Sequence, residues 1–258
     1  MEASNPYLPP TAPLDHPGTD EVGPRMPWED SVAYPAFADR VLATLGILLR
    51  PTQAGAALGA GRRLGPAIAF YALVGFPLVW LVQVLAAVLR PGAPLPWMGW
   101  FGLPKMPAPT PEAVGLQRTI ALAGALAAPV TLAVSLAVTG AVNHVGLWLT
   151  RGLRHHLGIE VTYRTILYAH GALGLVGSVF ALWPLLPPVA AMILFVLLAA
   201  FWIAAAVYQG VLLARAHRTE SWRGVLGVFL PWILLGCCCG LLGLALATAT
   251  GAFKGAFR

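Results

Sequence analysis

Charge is what this 258-residue sequence has least of: Asp, Glu, Lys and Arg together make up 10% of it, where soluble globular domains carry about 25%. Residues of the hydrophobic classes make up 58%, and the mean hydropathy is +0.75. A chain so poor in polar surface cannot cover itself in water, which excludes an ordinary soluble fold. Carboxylates are missing from every long apolar run. The ten acidic residues lie in the N-terminal region or in connecting segments, among them Glu112, Glu160 and Glu220. Acidic relays and intramembrane aspartyl chemistry need ionisable groups at membrane depth, so their absence argues against both.

Cysteine is nearly absent as well. Cys237, Cys238 and Cys239 stand side by side in an apolar run, with neither a disulfide framework nor metal-ligand spacing. On a helix, consecutive residues point about 100° apart, so the three read as small packing residues. A secretory signal peptide is not expected, because the first 35 residues are polar, acidic and Pro-rich. Lysine occurs only at 105 and 254, against 14 arginines. With the abundance of Ala, Gly, Pro and Leu, this composition suggests a GC-rich bacterial source.

What is present is a series of apolar runs long enough to cross a bilayer. At 1.5 Å per residue, about 20 residues span the ~30 Å hydrocarbon core. Five runs qualify, at about 64–89, 119–148, 162–182, 189–214 and 225–248. The fold class expected is therefore an all-α membrane protein, a bundle of about five transmembrane helices. Residues 1–35 read as a disordered Pro-rich cytoplasmic tail. Residues 36–63 read as an interfacial helix and linker, with Phe37, Val41, Leu42, Leu45, Leu48 and Leu49 recurring at helical spacing before Pro51. The membrane domain covers 64–250 and a short tail 251–258. The segment 90–118 has too many prolines for a helix, and its Trp97, Trp100 and Phe101 suit the membrane surface.

Orientation follows from the basic residues. Eleven fall on the side of the N-terminus and five on the other, which predicts a cytoplasmic N-terminus and, with an odd number of spans, a C-terminus outside. The bacterial cytoplasmic membrane is the expected location. Net charge of +6 could suggest nucleic acid, but the basic residues form no dense patch, so no nucleic-acid partner is expected.

Three stretches carry a resemblance: LRPTQAGAALGAGRRLGPAIAFYALVGFP, GIEVTYRTILYAHGALGLVGSVFALWPLLP and YQGVLLARAHRTESWRGVLGVFLPWIL. Together with a pre-membrane helix and five spans, their order over residues 40–248 resembles the Yip family of membrane proteins. Its best-known members interact with Rab-type GTPases on eukaryotic Golgi and endoplasmic reticulum membranes, and bacterial relatives are numerous. The resemblance implies a cytoplasmic N-terminus, no catalysis and no agreed bacterial activity. The tail here is short and shows no motif that would carry GTPase binding over. The partners it leaves are the lipid bilayer, a membrane-protein partner or a second copy of the chain.

Placed by depth from the flanking arginines, Tyr71, Asn143, His144, His170 and Gln209 fall about 9 to 12 Å inside, on four spans. Such a polar layer serves most simply as interhelical hydrogen bonds that set the register, each worth about 0.6 kcal/mol. Alternatives are a cavity for a lipid headgroup or small solute, or metal or haem ligation by His144 and His170, for which two histidines without a motif are thin support. Arg151, Arg154, His155 and His156 form a juxtamembrane basic cluster, read either as a topology-fixing loop or as lipid-headgroup contacts. No catalytic, cofactor or metal site is expected. The function expected is non-enzymatic, organising membrane or scaffolding protein and lipid contacts. The alternative is a small permease or transporter accessory subunit.

Overall fold

The structure is a computed structural model that describes residues 24–61, 63–89, 110–153, 157–180, 182 and 186–249. It is all-helical, as expected. In chain order the elements are a 3₁₀ turn (Pro27–Glu29), α1 (Phe37–Leu48), α2 (Pro51–Ala60), α3 (Gly65–Phe70), a π-helical turn (Tyr71–Gly75), α4 (Phe76–Leu89), α5 (Pro111–Leu149), α6 (Ile159–Phe180), α7 (Pro188–Ala216) and α8 (Ser221–Ala249).

Among the described residues four helical stretches are long and apolar enough to cross a membrane: Gly65–Ala86, Pro111–Leu149, Val189–Ala216 and Ser221–Cys238. α1 and α2 pass the same test only as a pair and are bent by 113°. α6, the expected third span, is less apolar because Arg164 and His170 stand within it. Its position explains this. From Val161 to Ala169 nearly every residue of α6 is buried, packed among α2, α3, α4, α5 and α7. The first half of α6 therefore needs no lipid-facing surface, whereas Val176 and Val179 in its second half, and Leu126, Val130, Ile203 and Ile233 on the surrounding helices, are exposed as a hydrocarbon solvent requires.

Prolines inside the spans free carbonyls one turn earlier, and the bundle supplies other partners. Pro129 leaves the Ala125 carbonyl without its helical donor, and Trp80 Nε1 on α4 donates to it at 2.8 Å. Pro231 frees the Gly227 carbonyl, which lies against Gly146 of α5, so close that a Cβ there would stand 1.8 Å from the oxygen. Pro77 follows the π-helical turn, in which Phe76 N–H bonds Tyr71. A single widened turn is a usual way to fit a proline into a continuing helix.

Several boundaries differ from the sequence expectation. Residues 24–35 were expected within a disordered tail, yet Met26 and Trp28 are buried and Trp28 packs edge-on to Phe70 and Phe37. The run Met26-Pro27-Trp28 supplies apolar surface that the acidic composition of the tail hid. The linker after α1 is the helix α2, begun by Pro51 at its first turn. Its Gly55 and Gly59 lie against Arg215 and Ala216 at the end of α7. α5 begins at Pro111 rather than 119, where the Thr110 hydroxyl caps Ala113 N–H at 3.2 Å. Its 39 residues reach ~58 Å, well beyond the hydrocarbon core. In α1, Thr44 and Leu48 face inward while Phe37, Leu42 and Leu49 are exposed, the division expected of an interfacial helix. The segments 1–23, 90–109 and 250–258 lie outside the described residues.

Candidate functional site at the base of the bundle

α5 and α7 end, and α6 and α8 begin, at one end of the bundle, here called its base. Two polar clusters stand there. The first is built on Arg164, which is 1% exposed although its sequence position suggested a loop charge. Its Nε and Nη2 donate to Glu29 Oε1 at 3.2 and 2.5 Å, and its Nη1 donates to the carbonyls of Ala57 and Leu58 at 3.0 and 2.7 Å. Tyr168, one turn along α6, donates its hydroxyl to the same Glu29 oxygen at 2.8 Å. The chain passes over the guanidinium at Gly61, where a Cβ would lie 2.1 Å from Nη1. One buried cation therefore joins three pieces: the N-terminal strap of residues 24–36, the C-terminal carbonyls of α2, and α6.

This arrangement satisfies the conditions for a tolerable buried charge, which are a charge partner and a hydrogen bond for each donor direction. The carbonyl end of α2 also favours a cation. Arg40 adds a cation over the Trp28 ring at 5.4 Å.

The second cluster joins α5, α6 and the end of α7. His144 Nδ1 and Thr162 Oγ1 are 2.9 Å apart, and so are Thr162 Oγ1 and His217 Nε2. Thr162 and His217 are completely buried, whereas His144 is partly exposed. Burial foremost, and the neighbouring His144 imidazole second, hold His217 down to about 4. Its Nδ1 has no partner.

Beside the second cluster lies an apolar layer of Leu147, Ile166, Leu213 and Val228, one residue from each of α5 to α8. One turn deeper on three of these helices are Asn143, His170 and Gln209. Asn143 is fully buried and neither amide atom has a partner. His170 Nδ1 bonds the Ile166 carbonyl at 3.0 Å. A carbonyl can only accept, so in the neutral ring that nitrogen carries the hydrogen. Gln209 is buried, and Tyr71 lies in the π-helical turn, partly buried. Among the described residues no hydrogen bond joins any two of these five. His144 alone of them enters a polar cluster, and it does so through Thr162.

Arg151 is exposed at the end of α5 and has φ 54; Arg218 holds the equivalent place after α7 with φ 53. Both close their helices by left-handed caps, Gly152 N–H bonding Leu147 and Thr219 N–H bonding Ala214. Arg223 Nη1 donates to the Arg151 carbonyl at 3.0 Å and its Nε pairs with Glu220. Arg154, His155 and His156 lie outside the described residues. Among the described residues no group of three His, Cys, Asp or Glu is placed to hold a metal ion.

Sequence reasoning did not find Glu29, Thr162, Tyr168 or His217. Glu29 and Arg164 are 135 residues apart, and no local pattern links them. A signal for Arg164 existed nonetheless, since an arginine flanked by Tyr163, Ile166 and Leu167 inside an apolar run needs a buried partner. No family model, no curated protein and no solved structure matches the chain.

Proposed function

We propose that this is a non-enzymatic multi-pass membrane protein of the Yip type, which organises membrane through lipid and protein contacts made at the base of its bundle. The observation that carries this reading is the commitment of Arg164. Its donors are engaged by Glu29 and by the carbonyls of Ala57 and Leu58, so this buried charge fastens a folded platform. The platform consists of the strap, α1 and α2, and α1 turns Phe37, Leu42 and Leu49 outward.

The distribution of basic residues supports a cytoplasmic N-terminus, an outer C-terminus and a place in the bacterial cytoplasmic membrane. With Arg164 moved from loop to interior, ten basic residues still stand on the N-terminal side against five. Exposed Arg151, Arg215 and Arg218 at the base suit anionic headgroups. The partners proposed are the bilayer and either a membrane protein or a second copy of this chain.

Purification in a mild detergent, followed by native mass spectrometry, tests this reading. A stoichiometric protein partner, a homo-oligomer or retained anionic lipid is expected. A monomer that sheds all lipid and drives solute flux in proteoliposomes would sink it. A second reading, a small permease or transporter subunit, is favoured by Asn143, whose buried amide lacks partners as a ligand-binding group would in the empty state. A small molecule bound by the wild type and lost in Asn143→Leu would favour that reading.

A further inference from the structure

The Yip-type organising role makes no use of the second polar cluster at the base. Three heteroatoms from three helices stand in line there, His217 Nε2, Thr162 Oγ1 and His144 Nδ1, with two gaps of 2.9 Å between them. Each gap requires one hydrogen. A threonine hydroxyl has one hydrogen to give and lone pairs to accept with, so in the neutral cluster one imidazole donates to it and the other accepts from it.

The buried environment selects the direction. If Thr162 donated to His217, the ring hydrogen of His217 would sit on Nδ1, a buried donor with no partner. An orphan buried N–H is the more severe defect. The order is therefore His217 Nε2–H to Thr162 Oγ1, and Thr162 Oγ1–H to His144 Nδ1. His144 then carries its hydrogen on Nε2.

We propose that His144, Thr162 and His217 form a one-proton site that couples acidity at the base of the bundle to the packing of α5 and α7 against α6. A proton taken from water forms an N–H bond at His144 Nδ1, which converts that nitrogen from acceptor to donor. Three hydrogens now compete for two gaps, and the hydroxyl hydrogen of Thr162 loses its acceptor. The link between α5 and α6 changes direction, and a cation is left beside a buried neutral imidazole. The ring centroids are 6.4 Å apart, so a charge on His144 opposes a second proton on His217.

The surrounding charges favour His144 as the entry point. On α6, Glu160 stands two residues before Thr162, and Arg164 is compensated by Glu29. On α7 and its cap, exposed Arg215 and Arg218 flank His217 and oppose a proton there. Arg151 ends α5, and from α8 Arg223 is held by Glu220. α2, packed on the end of α7, contributes no titratable side chain. The low value of His217, about 4, agrees with this order. With its folded value below the ordinary 6.5, the stability it contributes is complete above pH 6.5 and is lost as pH falls toward 4.

The test uses the full-length protein in nanodiscs, with thermal unfolding and histidine ¹⁵N NMR recorded from pH 8 to 4.5. The wild type is expected to take up one proton in the cluster above pH 4.5 and to lose apparent Tm as it does so. His144→Gln, which keeps an acceptor without titrating, should hold Tm near the wild-type value at pH 8 and make its fall with acid shallower, the part due to His217 remaining. Thr162→Val should lower Tm at pH 8 and break the hydrogen-bond line between the two imidazoles. Two protons taken up independently, or a His144→Gln profile that superimposes on the wild type, overturns the proposal. The NMR titration of the wild type decides the question even if Thr162→Val fails to fold.

Discussion

Glu29→Ala tests the strap most directly. The substitution removes the carboxylate that accepts from Arg164 Nε, Arg164 Nη2 and Tyr168, and leaves Arg164, 1% exposed in the wild type, with only the two α2 carbonyls. Removing one partner of a buried pair costs about 3 to 5 kcal/mol, because the remaining charge is left uncompensated. Glu29 is itself 16% exposed, so water reaching that edge brings the expected loss to about 3 kcal/mol. For a chain of this size that corresponds to a fall in Tm of roughly 6 to 12 °C. Tryptophan fluorescence should report it, since Trp28 rests on Phe70 beside the pair, and limited trypsin digestion should cut the strap faster. The double variant Glu29→Leu/Arg164→Met removes both charges and should recover most of the loss, as apolar replacements of buried pairs do. A shift under about 2 °C, or a double variant whose loss is the sum of the singles, would refute the claim that Arg164 fastens the strap.

Three further outcomes follow from the packing. Gly146→Ala places a Cβ 1.8 Å from the Gly227 carbonyl and 2.9 Å from Pro231 Cγ, so denaturation should show a loss of at least about 2 kcal/mol; Gly177→Ala, with nothing within 4 Å, should be neutral or gain up to about 1 kcal/mol. Trp80→Phe should cost about 1 kcal/mol by orphaning the Ala125 carbonyl, and the loss should vanish in a Pro129→Ala background, where the helix recovers its own donor. Asn143→Leu removes two unpartnered buried amide atoms and should leave stability unchanged or raise it by about 1 to 3 kcal/mol; a clear drop in Tm would mean that the amide has a partner in the membrane.

The helical bundle was legible in the sequence because crossing a bilayer imposes a local condition. About 20 apolar residues in a row must satisfy their own backbone, and the runs at 64–89, 119–148, 189–214 and 225–248 meet that condition without reference to one another. α1 was legible from its helical spacing, whereas the start of α5 at Pro111 was not, because the prolines of 90–118 read as a loop up to 119. The polar residues were legible as types and depths. Their partners were not, because depth fixes a level in the membrane and leaves open the direction in which a side chain points.

Only the tertiary structure decided that Arg164 is interior, that Glu29 returns from the N-terminal strap to meet it, and that Thr162 stands between His144 and His217. Each of these depends on helices separated by tens of residues arriving at one place. The approach is set by glycines such as Gly61, Gly75 and Gly146, where a Cβ would meet another backbone or the guanidinium itself. Composition along the chain thus determined a bundle of helices long and apolar enough to cross a membrane. Close packing between distant segments determined which of its few charged and polar groups face one another, because a buried ion or imidazole is tolerated only where the fold brings it a partner.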